Sequence, residues 1–141
     1  MPSRLDGLPV PDPADVAAVA WYLPLLEQAG PEFGAWQEDG PGTARLKYCP
    51  DAQGFVRMLR ERGWVETGIR PGAAAMVLRH WHQPELVAGA DSATLRALLS
   101  DLVHTTDVCE GHLLDAYQHG YLLAILRRLK ELARTGSREP A

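Results

Sequence analysis

Apolar residues recur along most of this chain at spacings of three and four, the period of a helix that buries one face. The first such stretch starts at Asp12-Pro13, with Asp as N-cap and Pro where its missing N–H costs nothing, and ends at Gly30-Pro31. Pro24 lies inside it and predicts a kink near Ala20. This helix is apolar almost all round, with Val16, Val19, Ala20 and Leu23 on one side and Trp21, Tyr22 and Leu25 on others. Such a pattern predicts an element that is central in the domain or shared with a partner. Residues 1–11, with Pro2, Pro9 and Pro11, read as an extended arm.

Residues 31–50 break the helical period. Phe33-Gly-Ala-Trp36 and Ala44-Arg-Leu-Lys-Tyr48 flank the turn-forming run Glu38-Asp39-Gly40-Pro41-Gly42, which predicts a short β-hairpin near 33–48, with an irregular loop as the alternative. From Asp51 to Arg62 the helical pattern resumes, with Phe55, Met58 and Leu59 opposite Arg57, Arg60 and Glu61. Gly63 suits a helix C′ position, after which Trp64-Val65 would fold back over the helix. Residues 70–84 read as a third helix, with Ala73, Val77, His80 and Trp81 at helical spacing, and a strand at 74–82 as the alternative.

The C-terminal third is the clearest. Asp91 or Ser92 caps a helix whose Leu95, Leu98, Leu99, Leu102 and Val103 form one apolar stripe. Asp107 and Glu110 have the spacing of a capping box and predict a fifth helix starting there, stopped by His119-Gly120. A sixth carries Leu122, Ile125, Leu126, Leu129 and Ala133 inside and Arg127, Arg128 and Lys130 outside. The pattern therefore predicts a mainly α fold, a compact bundle of five to six helices with one short hairpin. Its domain would span 12–135, with 136–141 as a mobile tail.

Composition narrows the function classes. At 141 residues, 46% apolar and 23% charged, the chain suits one globular domain. A net charge of −4 lacks the basic field that accompanies nucleic-acid binding, so no nucleic-acid partner is expected. The cations at Arg127, Arg128, Lys130 and Arg134 sit late in the last helix, where they complement its dipole and face solvent. The N-terminus has no apolar h-region, and the longest uncharged apolar run, Val16 to Leu26, is 11 residues where a membrane span needs about 20. With two cysteines, Cys49 and Cys109, and no disulfide framework, the expected location is the cytoplasm, away from membranes.

Candidate chemistry gathers at His80, His82, His104, Cys109, Glu110, His112 and His119. Cys109 and His112 are three apart, so a helix would place them on one face, with His104 approaching from the preceding turn. Thiolate and imidazole are zinc ligands, which makes His104, Cys109, Glu110 and His112 the metal-site candidates and zinc the alternative to no cofactor. A Cys109 nucleophile at a helix N-terminus, with His112 or His104 as base, is a second chemistry. Against both stands a structural account: Cys109 as a small buried hydrophobe, Glu110 as half of the capping box, imidazoles as caps or solvated groups. No third catalytic group or set of oxyanion donors can be named, so no catalytic residue is assigned. Trp21, Trp36, Trp64 and Trp81 read as core and lid residues. Trp36 is the exception, since its Gly/Pro-rich segment could present it to a pocket or interface.

The segment from Leu95 to Leu129 resembles a family of short bacterial domains of unknown function. Their C-terminal part carries an Arg-x-Asp-Arg-Phe-Cys-Glu-Gly-His-Leu run and then a Gly-hydrophobic-Ile-Leu-Arg-Arg run. Cys109, Glu110, Gly111, His112 and Leu113 match the first, and Gly120, Ile125, Leu126, Arg127 and Arg128 the second. Phe33 to Trp36, Tyr48, Phe55 and Gly63 to Val65 are also similar, so the resemblance covers about residues 33–130. His104, Thr105, Thr106 and Asp107 depart from the family's Arg-x-Asp-Arg, and Gly68, Ile69 and Arg70 from its Phe-Asp-Trp segment. The resemblance implies a fold and a class but no activity. The function expected is a noncatalytic interaction or regulatory module, with a homodimer through the first helix and Trp21, Tyr22, Leu25 and Trp36 as interaction residues. The alternative is a small metal- or cysteine-dependent enzyme built on His104, Cys109, Glu110 and His112.

Overall fold

The computed structural model describes residues 10–65 and 73–136. Helices dominate, as the periodicity predicts, in the order α1 (Pro13–Ala20), α2 (Leu23–Ala29), a 3-10 turn (Gly30–Glu32), β1 (Gly34–Gly40), β2 (Thr43–Tyr48), α3 (Pro50–Glu61), α4 (Ala73–His82), a 3-10 stretch (Pro84–Gly89), α5 (Ser92–Val108), α6 (His112–Gln118) and α7 (Tyr121–Gly136). The described residues thus hold seven α-helices where five or six were expected, because the first helix is two. Pro24 occupies the first turn of α2, where a ring without an N–H is tolerated, so the chain breaks at Trp21–Tyr22 and restarts where a single kinked helix was expected.

The hairpin is antiparallel, pairing Gly34 with Tyr48 and Trp36 with Leu46, and an irregularity between Glu38 and Gly40 leads into the turn. It returns the chain to Cys49, whose N–H donates to Phe33 O at 2.9 Å. Helix α3 ends as its sequence suggests: Gly63 takes φ 75°, and Trp64 N donates back to Leu59 O at 2.9 Å. The Trp64 side chain is thereby folded into the core, 1% exposed. Asp91 is the N-cap of α5, its carboxylate accepting from Thr94 N at 2.8 Å. Gly120, at φ 81°, separates α6 from α7.

Helix α7 lies at the centre, packed against α1, α2, α5, α6 and the Pro84–Gly89 stretch. Leu122, Ile125, Leu126 and Leu129 of its inner stripe meet Leu95, Leu98, Leu99 and Leu102 of α5 and Val16, Val19 and Leu26 of the N-terminal pair within one buried cluster. Each fully buried leucine of this kind contributes about 1.5–3 kcal/mol, and the stripe-to-stripe match is why the bundle closes. Phe33 stacks on Tyr117 with centroids 3.9 Å apart. The Tyr117 hydroxyl donates to Leu26 O and accepts from Gly30 N, which fastens the α2 terminus to α6.

Two boundaries differ from expectation. Helix α5 runs through Asp107 to Val108 and α6 does not begin until His112, so the Asp107–Glu110 capping box does not form. Asp107 is instead bound by the Arg60 guanidinium of α3, at 2.7 and 2.9 Å. The last helix extends to Gly136, one residue into the expected tail; residues 137–141, the arm at 1–9 and the family departure at Gly68–Arg70 lie outside the described residues. Among the described residues no helix is long and apolar enough to cross a membrane.

Candidate functional site

Two helices present matching triplets across a small cavity. Helix α4 contributes Val77, Leu78 and Trp81, and α5 contributes Asp101, Leu102 and Thr105. Both sets have the i, i+1, i+4 spacing that puts side chains on one helix face. His112 and Tyr121, the first residues of α6 and α7, close the remaining wall of this cavity of about 330 Å³. Among the described residues its lining is aromatic and aliphatic apart from one carboxylate, one threonine and the imidazole. Trp81 is the hub: its ring stacks on His112 (centroids 5.1 Å, interplanar 28°) and meets the Tyr121 ring edge-on at 5.0 Å.

The electrostatics follow from that setting. Partial burial raises the Asp101 carboxyl above its ordinary value, because the charged form loses hydration; His112, His104 and a hydrogen bond with Thr105 act the other way. Burial also pushes the Tyr121 phenol upward, and the neighbouring Asp101 charge adds to this, so the phenol stays protonated. Tyr121 is 2% exposed, and its hydroxyl has no hydrogen-bond partner. A buried polar group left without a partner is uncommon and calls for an explanation.

The four expected site residues are not brought together. Glu110 reaches the hairpin, its Oε1 accepting from the edge N–H of Leu46 at 2.5 Å. Cys109 is exposed and terminates α5, its own N–H donating to Thr105 O. His112 lines the cavity beside Asp101, and His104 acts on that carboxyl electrostatically. Among the described residues no three His, Cys, Asp or Glu side chains gather as a group able to hold a metal ion. His80 and His119 donate from Nδ1 to the carbonyls of Met76 and Asp115, one turn back in their helices. Asp101 and Trp81 were missed as site residues; the spacing of Asp101, His104 and Thr105 on one helical face was the available signal.

The junction between α5 and α6 explains why Gly follows Glu110. Gly111 adopts φ 97°, and a Cβ there would come 3.3 Å from Trp36 Cζ2. Glu110 and Gly111 together dock this corner onto the hairpin, and His112 then enters the pocket wall as the first residue of α6. The run that a sequence reader sees as a chemical cluster is thus a joint. A model of a family of unknown function, DUF6508, matches residues 11–135. The chain belongs to that family. No curated protein and no solved structure matches it. The matched span takes in the whole of this pocket and the joint behind it.

The expected interaction residues lie elsewhere. Trp21 is 64% exposed, at the α1–α2 break, and with Ala17, Pro24 and Leu25 lines a groove of about 480 Å³ against Lys130, Ala133 and Arg134 of α7. Tyr22 is partly taken up by the fold, its ring 5.5 Å from Phe55. Trp36 is 54% exposed on β1, over Gly111.

Proposed function

We propose that this chain is a noncatalytic binding module that holds a small ligand in the pocket between α4, α5, α6 and α7. The observation that carries this reading is an apolar wall drawn from four helices that holds, among the described residues, a single partly buried carboxylate. Ligand pockets have this composition, mostly hydrophobic with a few polar groups that set orientation. Cys109, the nucleophile a covalent mechanism would draw on, is outside it. The test is a small-fragment titration followed on the Trp81 indole and the backbone amides of Leu102, Thr105 and His112. Saturable shifts at these positions support the reading. No shifts there, or shifts gathered on another face, overturn it.

A second reading, self-association, is favoured by the exposure of Trp21 beside Leu25 on the groove against α7. A second copy covering that groove would bury the largest exposed aromatic of the N-terminal helices. Sedimentation of the wild type and of Trp21→Ser tests it: a concentration-dependent dimer weakened by the substitution supports the reading, and a strict monomer at high concentration removes it. Neither reading calls for a nucleic-acid partner, in keeping with a net charge of −4.

A further inference from the structure

We infer that the pocket selects a ligand carrying one cationic nitrogen with N–H donors, an ammonium or guanidinium group, on a short apolar body. This rests on the proposal that the pocket is a ligand site and adds the chemistry of what fills it. Among the described residues Asp101 is the sole acid in the lining, and none of their Lys or Arg side chains lines the cavity with it. A carboxylate placed among Val77, Leu102, Trp81 and Tyr121 has lost part of its hydration, and such a charge is stabilised by a partner that supplies opposite charge and hydrogen bonds. The Tyr121 ring lines the cavity, while its hydroxyl is buried out of reach of the cavity.

The three classes of small ligand fare differently against this carboxylate. An anion meets the Asp101 charge and is repelled. A neutral hydrocarbon fills the space and leaves the carboxylate with its Thr105 hydrogen bond alone. An alkylammonium donates to the carboxylate and lays its chain on the aliphatic and aromatic wall, where ring electrons also favour a cation. Size agrees: about 330 Å³ is at the small end of ligand pockets and accommodates a side-chain-sized amine. His104 and His112 are the other titratable groups that act on Asp101. The measurement is made at about pH 8, well above the ordinary carboxylate value and below that of an alkylammonium.

The experiment compares n-pentylammonium, 1-pentanol and pentanoate on the wild-type protein, read from the Trp81 indole and pocket amide resonances. The expected result is saturable binding of the ammonium with a Kd at least about tenfold below those of the alcohol and the acid, the scale of a hydrogen-bonded charge. Asp101→Asn, checked for an intact amide spectrum, should erase the preference and leave ammonium and alcohol within about threefold, since both then bind by their shared chain. Alcohol or pentanoate binding the pocket as well as the ammonium would overturn the charge selection and leave the binding-module reading standing. Failure of all three to shift pocket resonances would overturn both. Retention of the ammonium preference in Asp101→Asn would overturn the assignment to that carboxylate.

Discussion

Replacing Gly111 with alanine tests whether the Cys-Glu-Gly-His run is a structural joint. Gly111 sits at φ 97° immediately before α6, a region where a residue with a Cβ is disfavoured by about 1–2 kcal/mol. Against that, removing a glycine restricts the unfolded chain and returns about 0.4–1 kcal/mol. The new methyl would lie 3.3 Å from Trp36 Cζ2, yet that ring is 54% exposed and free to yield. The backbone term should dominate, leaving a net loss of about 1 kcal/mol. For a chain of 141 residues this corresponds to a fall in Tm of about 3–4 °C, measured by calorimetry and by urea unfolding. Gly111→Asn should cost less, because asparagine tolerates positive φ better than alanine. A double-mutant cycle with Trp36→Ala separates the two causes, and a coupling below about 0.5 kcal/mol is expected if the backbone dominates. A Tm that is unchanged or raised in Gly111→Ala would refute the reasoning. A cost abolished by Trp36→Ala would move the cause from the backbone to the ring contact.

Tyr121→Phe removes a buried hydroxyl that has no partner; such a group costs about 1–3 kcal/mol, so the variant should unfold at higher urea by about 1 kcal/mol, and a loss of stability would show that the hydroxyl is satisfied. Asp101 titrates higher in the folded protein than its ordinary 3.8. Its contribution is therefore fully favourable below pH 3.8 and is lost as pH rises through the folded value, because the native state must then ionise a poorly hydrated acid. Asp101→Asn should accordingly be more stable than wild type at neutral pH, with the advantage shrinking as pH falls toward the unfolded value; His104, His112 and Tyr121 remain in both proteins, and an advantage independent of pH would contradict the linkage. Gly54 lies within α3 without positive φ, and a Cβ there would make ordinary contact with the Tyr22 hydroxyl at 3.4 Å. Gly54→Ala should add about 0.5–1 kcal/mol, and a drop in Tm would mean that Tyr22 cannot accommodate the methyl.

Much of the architecture was legible because it rests on local pattern. The Asp91 cap, the Gly63 turn that folds Trp64 inward, the hairpin at 34–48 and the leucine stripes of α5 and α7 all depend on residues close in sequence. The split of the first helix at Trp21–Tyr22 follows from Pro24 itself, whereas the capping-box error arose where a local signal had a distant competitor. Asp107 and Glu110 have capping-box spacing, but Asp107 is held by Arg60 and Glu110 by the Leu46 N–H, 47 and 64 residues away. A helix already formed up to Val108 had no need of a cap at 107. The pocket was less legible still. Its walls come from four helices, and no spacing rule links Trp81 to Tyr121 or Asp101 to His112 across their intervening turns. Charge and aromatic content identify such residues only after packing has placed them.

This division bears on how the Cys-Glu-Gly-His run should be read wherever it stands. Glu110 and Gly111 satisfy a strand edge and a tight corner, needs that exist whether or not a ligand is bound. An edge N–H without its acceptor would need water or another strand, so Glu110 also serves to shield the hairpin from mispairing. His112 is different, because its backbone begins α6 while its ring forms pocket wall against Trp81. The joint therefore sets where the imidazole lies relative to Asp101. A substitution at Gly111 that shifts the start of α6 should alter ligand selection through His112 as well as stability, whereas Gly54→Ala in α3, whose Cβ would meet Tyr22, should alter stability alone. Comparing pentylammonium affinity in those two variants would separate the corner's service to the fold from its service to the site: equal affinity in both would show that the pocket is indifferent to the joint.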